Sequence, residues 1–190
     1  MKSKIEAQLR ESIQVKQDLL ASSVDVVAQI AETIIDCLNS GGKVLLCGNG
    51  GSAADAQHLA GELVGRFARE RKALPAIALN TNTSVLTAVA NDIGFENVFS
   101  RQVEALAGKH DVLIGLSTSG ASANVLKAFE AARKIGCRTI AFTGRSSAKV
   151  KPATDICLPV PSDVTWRIQE AHITLGHIVC DLVEAAIAEE

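Results

Sequence analysis

Tyrosine is missing from this 190-residue chain, tryptophan and methionine occur once each, and with five phenylalanines the aromatics reach only 3%. So few rings exclude the stacking platforms on which single-stranded nucleic acids are held. A surplus of charge of one sign is missing too. Lysine and arginine number 19 against 21 aspartates and glutamates, a formal net charge of −2, and both signs are scattered. That balance offers no electrostatic grip on nucleic acid or on an anionic membrane, so neither is expected as a partner. No apolar run is expected to cross a bilayer, and the charged opening MKSKIEAQLRESIQVKQDLL excludes a secretory signal, which points to the cytoplasm. No CxxC occurs among Cys37, Cys47, Cys137, Cys157 and Cys180, whose mostly apolar surroundings predict reduced, buried thiols.

What is present is an apolar content of 47%, enough for a sizeable core in one domain spanning residues 1–190. Residues 1–40 read as an N-terminal helical extension. Ile5, Leu9, Ile13, Leu19 and Leu20 form a helical stripe over residues 2–20, a surface that must be buried on the domain or on another copy. A second helix, capped by Ser22 or Ser23, carries Val27, Ile30, Ile34 and Leu38 and stops at the Asn39-Ser40-Gly41-Gly42 turn.

Five short apolar runs follow, at residues 43–48, 75–80, 111–117, 138–144 and 155–161. Helical segments separate them at 52–70, at 84–108 with a break at 91–95, and at 120–136. Residues 144–153 are short for a crossover helix. A long helix with apolar residues on more than one face closes the chain over 164–189. Continuous apolar strands alternating with helices predict an α/β fold, a five-stranded parallel sheet covered on both faces as in flavodoxin-like three-layer sandwiches.

The first strand runs into GNGGSAADAQHLAGE, Gly48 to Glu62. Its glycines permit a tight strand-to-helix turn, Ser52 is a candidate helix cap, and free amides at the helix start attract anions. The pattern also meets a permissive dinucleotide fingerprint. That reading needs an acidic residue after the second strand, where this chain has Asn80-Thr81-Asn82-Thr83, so a nicotinamide cofactor is not expected. After the third strand, Ser117-Thr118-Ser119-Gly120 with Ser122 places hydroxyls and a helix start where a phosphate monoester can be cradled. A plain Ser/Thr turn and cap is the competing reading.

His58 and Glu62 are four apart and share a helix face. In the final helix Gln169, His172 and His177 interrupt an apolar segment, and nitrogen and oxygen donors drawn from the two helices can hold a zinc ion. A solvated His–Glu pair and a hydrogen-bonded core histidine are the plain alternatives. Gln169 and His177 lie eight residues apart, roughly 12 Å along a helix and about 80° around it. One ion reaches both only if the side chains lean together or a neighbouring subunit supplies one, and the second arrangement puts the site at an oligomer interface.

Four blocks resemble the sugar isomerase (SIS) domain family, and within it the phosphoheptose (sedoheptulose 7-phosphate) isomerases. They are CGNGGSAADAQHLAGE at 47–62, AND at 90–92 with Gly94-Phe95, STSGASAN at 117–124 and RIQEAHITLGH at 167–177. The resemblance implies a homotetramer with sites at subunit interfaces. It implies isomerisation of D-sedoheptulose 7-phosphate to D-glycero-D-manno-heptose 7-phosphate through an enediol, the first step toward ADP-heptose for bacterial surface polysaccharide. It assigns substrate contacts to Asn49, Gly50, Gly51, Glu62, Asn91, Asp92, Ser117, Thr118, Ser119, Ser122 and Gln169, and one zinc per subunit to His58, Glu62, Gln169 and His177.

An enediol reaction needs a base and an acid, here assigned to Glu62 and His177. Trp166 departs from relatives that carry an acidic residue three before the glutamine, and Asp163 is the nearby substitute. The rival reading is a non-catalytic SIS protein that binds a sugar phosphate or a replication-initiator partner. Those relatives lose the helix carboxylate and the last histidine, whereas Glu62 and His177 are both present here.

Overall fold

Val44–Gly48 (β1), the apolar run expected to open the sheet, is buried at every residue in the computed structural model, which describes residues 1–188. Ala76–Ala78 (β2), Val112–Ser117 (β3), Arg138–Thr143 (β4) and Ile156–Pro159 (β5) join it in one parallel sheet of order β2-β1-β3-β4-β5. Each row across the strands faces one side. The row Leu46, Ile114, Ile140 and Ile156 packs under Lys2–Ser22 (α1), Val24–Asn39 (α2), Gly51–Val64 (α3) and Thr165–Ala188 (α7). On the opposite face, Leu45, Cys47, Leu113 and Ala141 pack under Thr83–Asp92 (α4), Ser100–Leu106 (α5) and Ala123–Ile135 (α6). These are the three layers and the flavodoxin-like order that the strand pattern predicts.

The structure departs from the sequence reading at several helix ends. Ser52 does not cap α3: Gly50 is the N-cap, no side chain accepts there, and Ser52 is buried inside the first turn. The helix stops at Val64 rather than residue 70, because the chain turns off at Gly65 to contact α7. The break expected within 84–108 is a short 3₁₀ turn, Phe95–Asn97, between α4 and α5. Asn82 caps α4 by accepting the Val85 N–H at 3.0 Å. The connection after β4, too short for a crossover helix, holds only the 3₁₀ turn Lys151–Ala153. Glu189, the predicted end of the last helix, lies outside the described residues.

By length and composition α7 is apolar enough to cross a membrane, contrary to the expectation that no segment would be. Half of its most apolar stretch is buried inside the fold, where it packs on α2 and α3. The helix is enclosed on more than one side, which is why apolar residues occur around it. The buried Arg167 guanidinium holds α1 to α7 by bonds to Glu11 (3.2 Å) and Gln8, and is braced within α7 by Glu170 (2.7 Å). The α1 stripe is only partly covered: Leu19 is buried, while Ile5, Leu9, Ile13 and Leu20 are 53–74% exposed. All five cysteines are free thiols, and burial first of all pushes Cys47, Cys137 and Cys180 up to about 12, so they stay protonated.

Candidate active site

Two helices on the same face of the sheet bring three of the predicted donors together, His58, Glu62 and His177. A Cβ at Gly176 of α7 would lie 2.6 and 2.7 Å from the two methyl carbons of Leu59 on α3, so glycine is what lets these helices approach this closely. Leu59 is flanked by His58, and His177 follows Gly176. The α3 pair His58 and Glu62 meets at 3.1 Å between Nε2 and Oε1, the i,i+4 geometry expected from sequence. His177 reaches across so that the two Nε2 atoms are 2.9 Å apart. One donor atom from each of the three lies within 4.8 Å of the others.

Two ring nitrogens and a carboxylate oxygen converge here as donors around a cation do. Ligands of a tetrahedral zinc ion with bonds near 2.0 Å sit about 3.3 Å apart. The nitrogen–nitrogen and nitrogen–oxygen separations are close to that spacing, so the donor set fits zinc. All three groups come from one chain, so His177 needs no neighbouring subunit to meet its partners. Gln169, two turns earlier on α7, has its amide against Gly51 at the start of α3: a Cβ there would lie 2.5 Å from Gln169 Nε2.

His172 does not join the cluster. It is fully buried, its Nε2 donates to the Thr143 carbonyl at 3.2 Å, and its ring meets Phe142 edge-on. Burial, only partly offset by that backbone bond, lowers its pKa to about 4 and keeps it neutral. Here the core-histidine reading wins over the ligand reading.

The second half of the site lies at the carboxyl ends of β1 and β3, where the strand order reverses and doubly wound sheets bind ligands. The loops leaving these strands are tied by reciprocal amide bonds, Asn49 Nδ2 to Asn124 Oδ1 and Asn124 Nδ2 to Asn49 Oδ1, both 2.9 Å. Asn80 adds a bond from Nδ2 to the Gly48 carbonyl at 2.7 Å. Ser52 and Ala53 already donate their N–H groups to the Asn49 and Gly50 carbonyls, which weakens the start of α3 as an anion site.

The loop after β3 is freer. Ser117 and Ser122 hydroxyls face each other at 2.9 Å, and Ser119 Oγ accepts from the Ala121 N–H at 3.3 Å. Ser122 is the N-cap of α6, yet its side chain makes no capping bond and turns to Ser117 instead. Thr118 and Ser119 also line a hollow of about 210 Å³ with Ser162 and Asp163. Asp163 pairs with Arg145 at 3.0 Å on its rim, and Trp166 is 57% exposed. Asn91 and Asp92 end α4 and bond to each other at 2.7 Å; among the described residues, no hydrogen bond joins them to the metal cluster or the serine loop.

Two features escaped the sequence reading. Asn124 sat within the recognised STSGASAN block but was not singled out as the residue that locks the two loops. Glu184 sat in the apolar run of α7, where a carboxylate between Val183 and Ala185 was itself the signal.

Comparison with known proteins gives this geometry a family. The SIS domain family model matches residues 8–144. A phosphoheptose isomerase of Roseiflexus sp. (strain RS-1) is 53% identical over 183 residues, covering 96% of this chain and 93% of its own. The solved phosphoheptose isomerase of Neisseria gonorrhoeae superposes with a TM-score of 0.91 at 46% identity, over 97% of this chain and 98% of its own. That of Francisella tularensis gives 0.93 at 40% identity, over 96% and 97%.

Proposed function

The chain belongs to the phosphoheptose isomerases of the SIS domain family, and from that membership we propose how its residues carry out the reaction. It is an aldose–ketose isomerase that converts D-sedoheptulose 7-phosphate to D-glycero-D-manno-heptose 7-phosphate in heptose biosynthesis. The convergence of His58, Glu62 and His177 beside the β1 and β3 loops carries this reading. The non-catalytic alternative is not favoured, since both residues that such relatives lose are in that cluster.

Ser117, Thr118, Ser119 and Ser122 hold the phosphate by hydroxyl and helix-start donors. Asn49, Gly50, Gly51, Asn91 and Asp92 contact the sugar, with Gln169 completing the wall at Gly51. Dividing the work in this way leaves the reacting end of the sugar at α3 and α7. Glu62 takes the C1 proton of the ketose and returns it to C2, while His177 serves as the acid for the oxygens that exchange the carbonyl, each acting when substrate has loosened its hold on the metal. Such acid–base assistance contributes typically about 10²–10⁴-fold.

One zinc ion per subunit, held by His58, Glu62 and His177 with Gln169 as the fourth donor, supplies Lewis-acid polarisation of the sugar oxygens when bound. The exposed Ile5, Leu9 and Ile13 stripe supports burial of α1 in a homotetramer whose sites lie at subunit interfaces. An active species of single-chain mass at assay concentration would contradict this. The balanced, scattered charge is in keeping with a cytoplasmic protein acting on a small sugar phosphate. Turnover of sedoheptulose 7-phosphate, measured with and without a chelator, tests the assignment. Activity lost on chelation and restored by zinc is expected; chelator-insensitive turnover would remove the metal role, and no turnover would remove the function.

A further inference from the structure

Seven residues after His177, and therefore on the same stripe of α7, Glu184 is completely buried. Its carboxylate accepts three consecutive backbone N–H groups, from Phe67 at 2.8 Å, Ala68 at 2.6 Å and Arg69 at 2.8 Å. It also pairs with Arg71 Nε at 3.1 Å, whose side chain is 2% exposed. Arg71 in turn donates to the Glu62 carbonyl at 2.9 Å and the Gly65 carbonyl at 3.1 Å. These carbonyls belong to the end of α3, where no helical N–H remains to satisfy them. The loop so held puts the Phe67 ring 5.6 Å from the His177 ring.

We propose that Glu184 and Arg71 are positioning residues for the isomerase: together they clamp the 65–71 loop, seat Phe67 against His177, and fix the end of α3 that carries Glu62. The clamp rests on the function proposed above, in which His177 is the acid and Glu62 the base. It explains why a charged pair is tolerated under this loop, since three backbone N–H groups and the Arg71 charge share the two carboxylate oxygens. Burial alone would raise the carboxyl pKa, but the three backbone donors and Arg71 outweigh it and hold it below the ordinary value. The carboxylate therefore stays ionised and keeps its grip. Phe67 limits rotation of the imidazole, so that Nε2 stays turned toward His58.

Glu184→Gln replaces one acceptor oxygen by a donor facing backbone N–H groups. It is expected to lower kcat by about 10- to 100-fold with KM for sedoheptulose 7-phosphate unchanged, as for residues that orient a site from behind. Amide hydrogen exchange at Phe67, Ala68 and Arg69 is expected to speed by about tenfold or more. Phe67→Leu leaves the clamp intact and is expected to lower kcat too, and the double variant should be no slower than Glu184→Gln alone. Wild-type kcat in Glu184→Gln, or a fall in kcat without faster exchange at those amides, overturns the proposal. Should Glu184→Gln fail to fold, Phe67→Leu decides, and unchanged kcat in it overturns the proposal. A wild-type protein without turnover refutes the function instead, and the exchange measurement still judges the clamp.

Discussion

Replacing Gly176 by alanine adds one methyl group where α7 packs tightly on α3, and the structure fixes what that costs. The new Cβ would lie 2.6 and 2.7 Å from the Leu59 methyl carbons and 3.2 Å from its Cγ, whereas carbon atoms at rest stay about 3.5–4.0 Å apart. Leu59 is 4% exposed, so its side chain is forced against the surrounding core or the helices part by about 1 Å. Overpacking of this kind costs about 1–3 kcal/mol. Because His58 neighbours Leu59 and His177 neighbours Gly176, the same displacement opens the 2.9 Å gap between the ring nitrogens, and a shift of about 1 Å in a site can lower the rate about 100-fold. Urea unfolding, zinc titration and steady-state kinetics of Gly176→Ala should therefore move together. Adding Leu59→Ala should recover much of the zinc affinity, though not all of the stability. Wild-type stability and zinc affinity in Gly176→Ala would refute the claim that this glycine sets the helix spacing.

Two further changes separate binding from folding. Ser119→Ala with Ser122→Ala should weaken sugar-phosphate affinity by about tenfold or more, on the usual worth of a hydrogen bond to a charged group; calorimetric titration with the Glu62→Gln background, where turnover is blocked, reads it, and unchanged affinity would remove the loop from phosphate binding. His172 is neutral in the fold down to about pH 4 but protonates near 6.5 when unfolded. The unfolded chain thus binds the extra proton first, so stability present above pH 6.5 is lost as pH falls toward 4, by up to about 3 kcal/mol. Chemical unfolding at several pH values should show that slope in the wild type and a reduced one in His172→Gln; parallel curves would contradict the burial argument.

The sheet was legible because its central strands, β1, β3 and nearly all of β4, are buried on both faces and so read as unbroken apolar runs. KVLLCG and DVLIGLS are examples, each ended by a glycine or a serine loop. The His58–Glu62 pair was legible for a similar reason, since i,i+4 spacing forces two side chains onto one helix face. Its partner His177 was identified as a donor, but its distance from α3 was not, because nothing local tells how closely two helices pack; that information sits in Gly176 and Leu59, which are 117 residues apart in sequence. His172 and His177 look alike in a sequence, and only the Thr143 carbonyl and the surrounding core distinguish them. The end of α3 was misplaced because residues 65–70 are helix-compatible locally and are drawn out of the helix by Glu184, a tertiary contact. Ser52 was read as a cap because serine favours that position, yet Gly50 takes it and the hydroxyl turns inward.

The central claim is that Glu62, held with His58 and His177 between α3 and α7, moves the proton of a seven-carbon sugar phosphate. The most direct test follows sedoheptulose 7-phosphate by NMR with zinc-loaded wild-type protein and with Glu62→Gln, measuring binding and product in each. The account predicts formation of the aldose heptose 7-phosphate by the wild type, and binding with turnover reduced by about 10²-fold or more in the variant. Near-normal turnover by Glu62→Gln, or a wild type that binds the ketose phosphate without converting it, would contradict it.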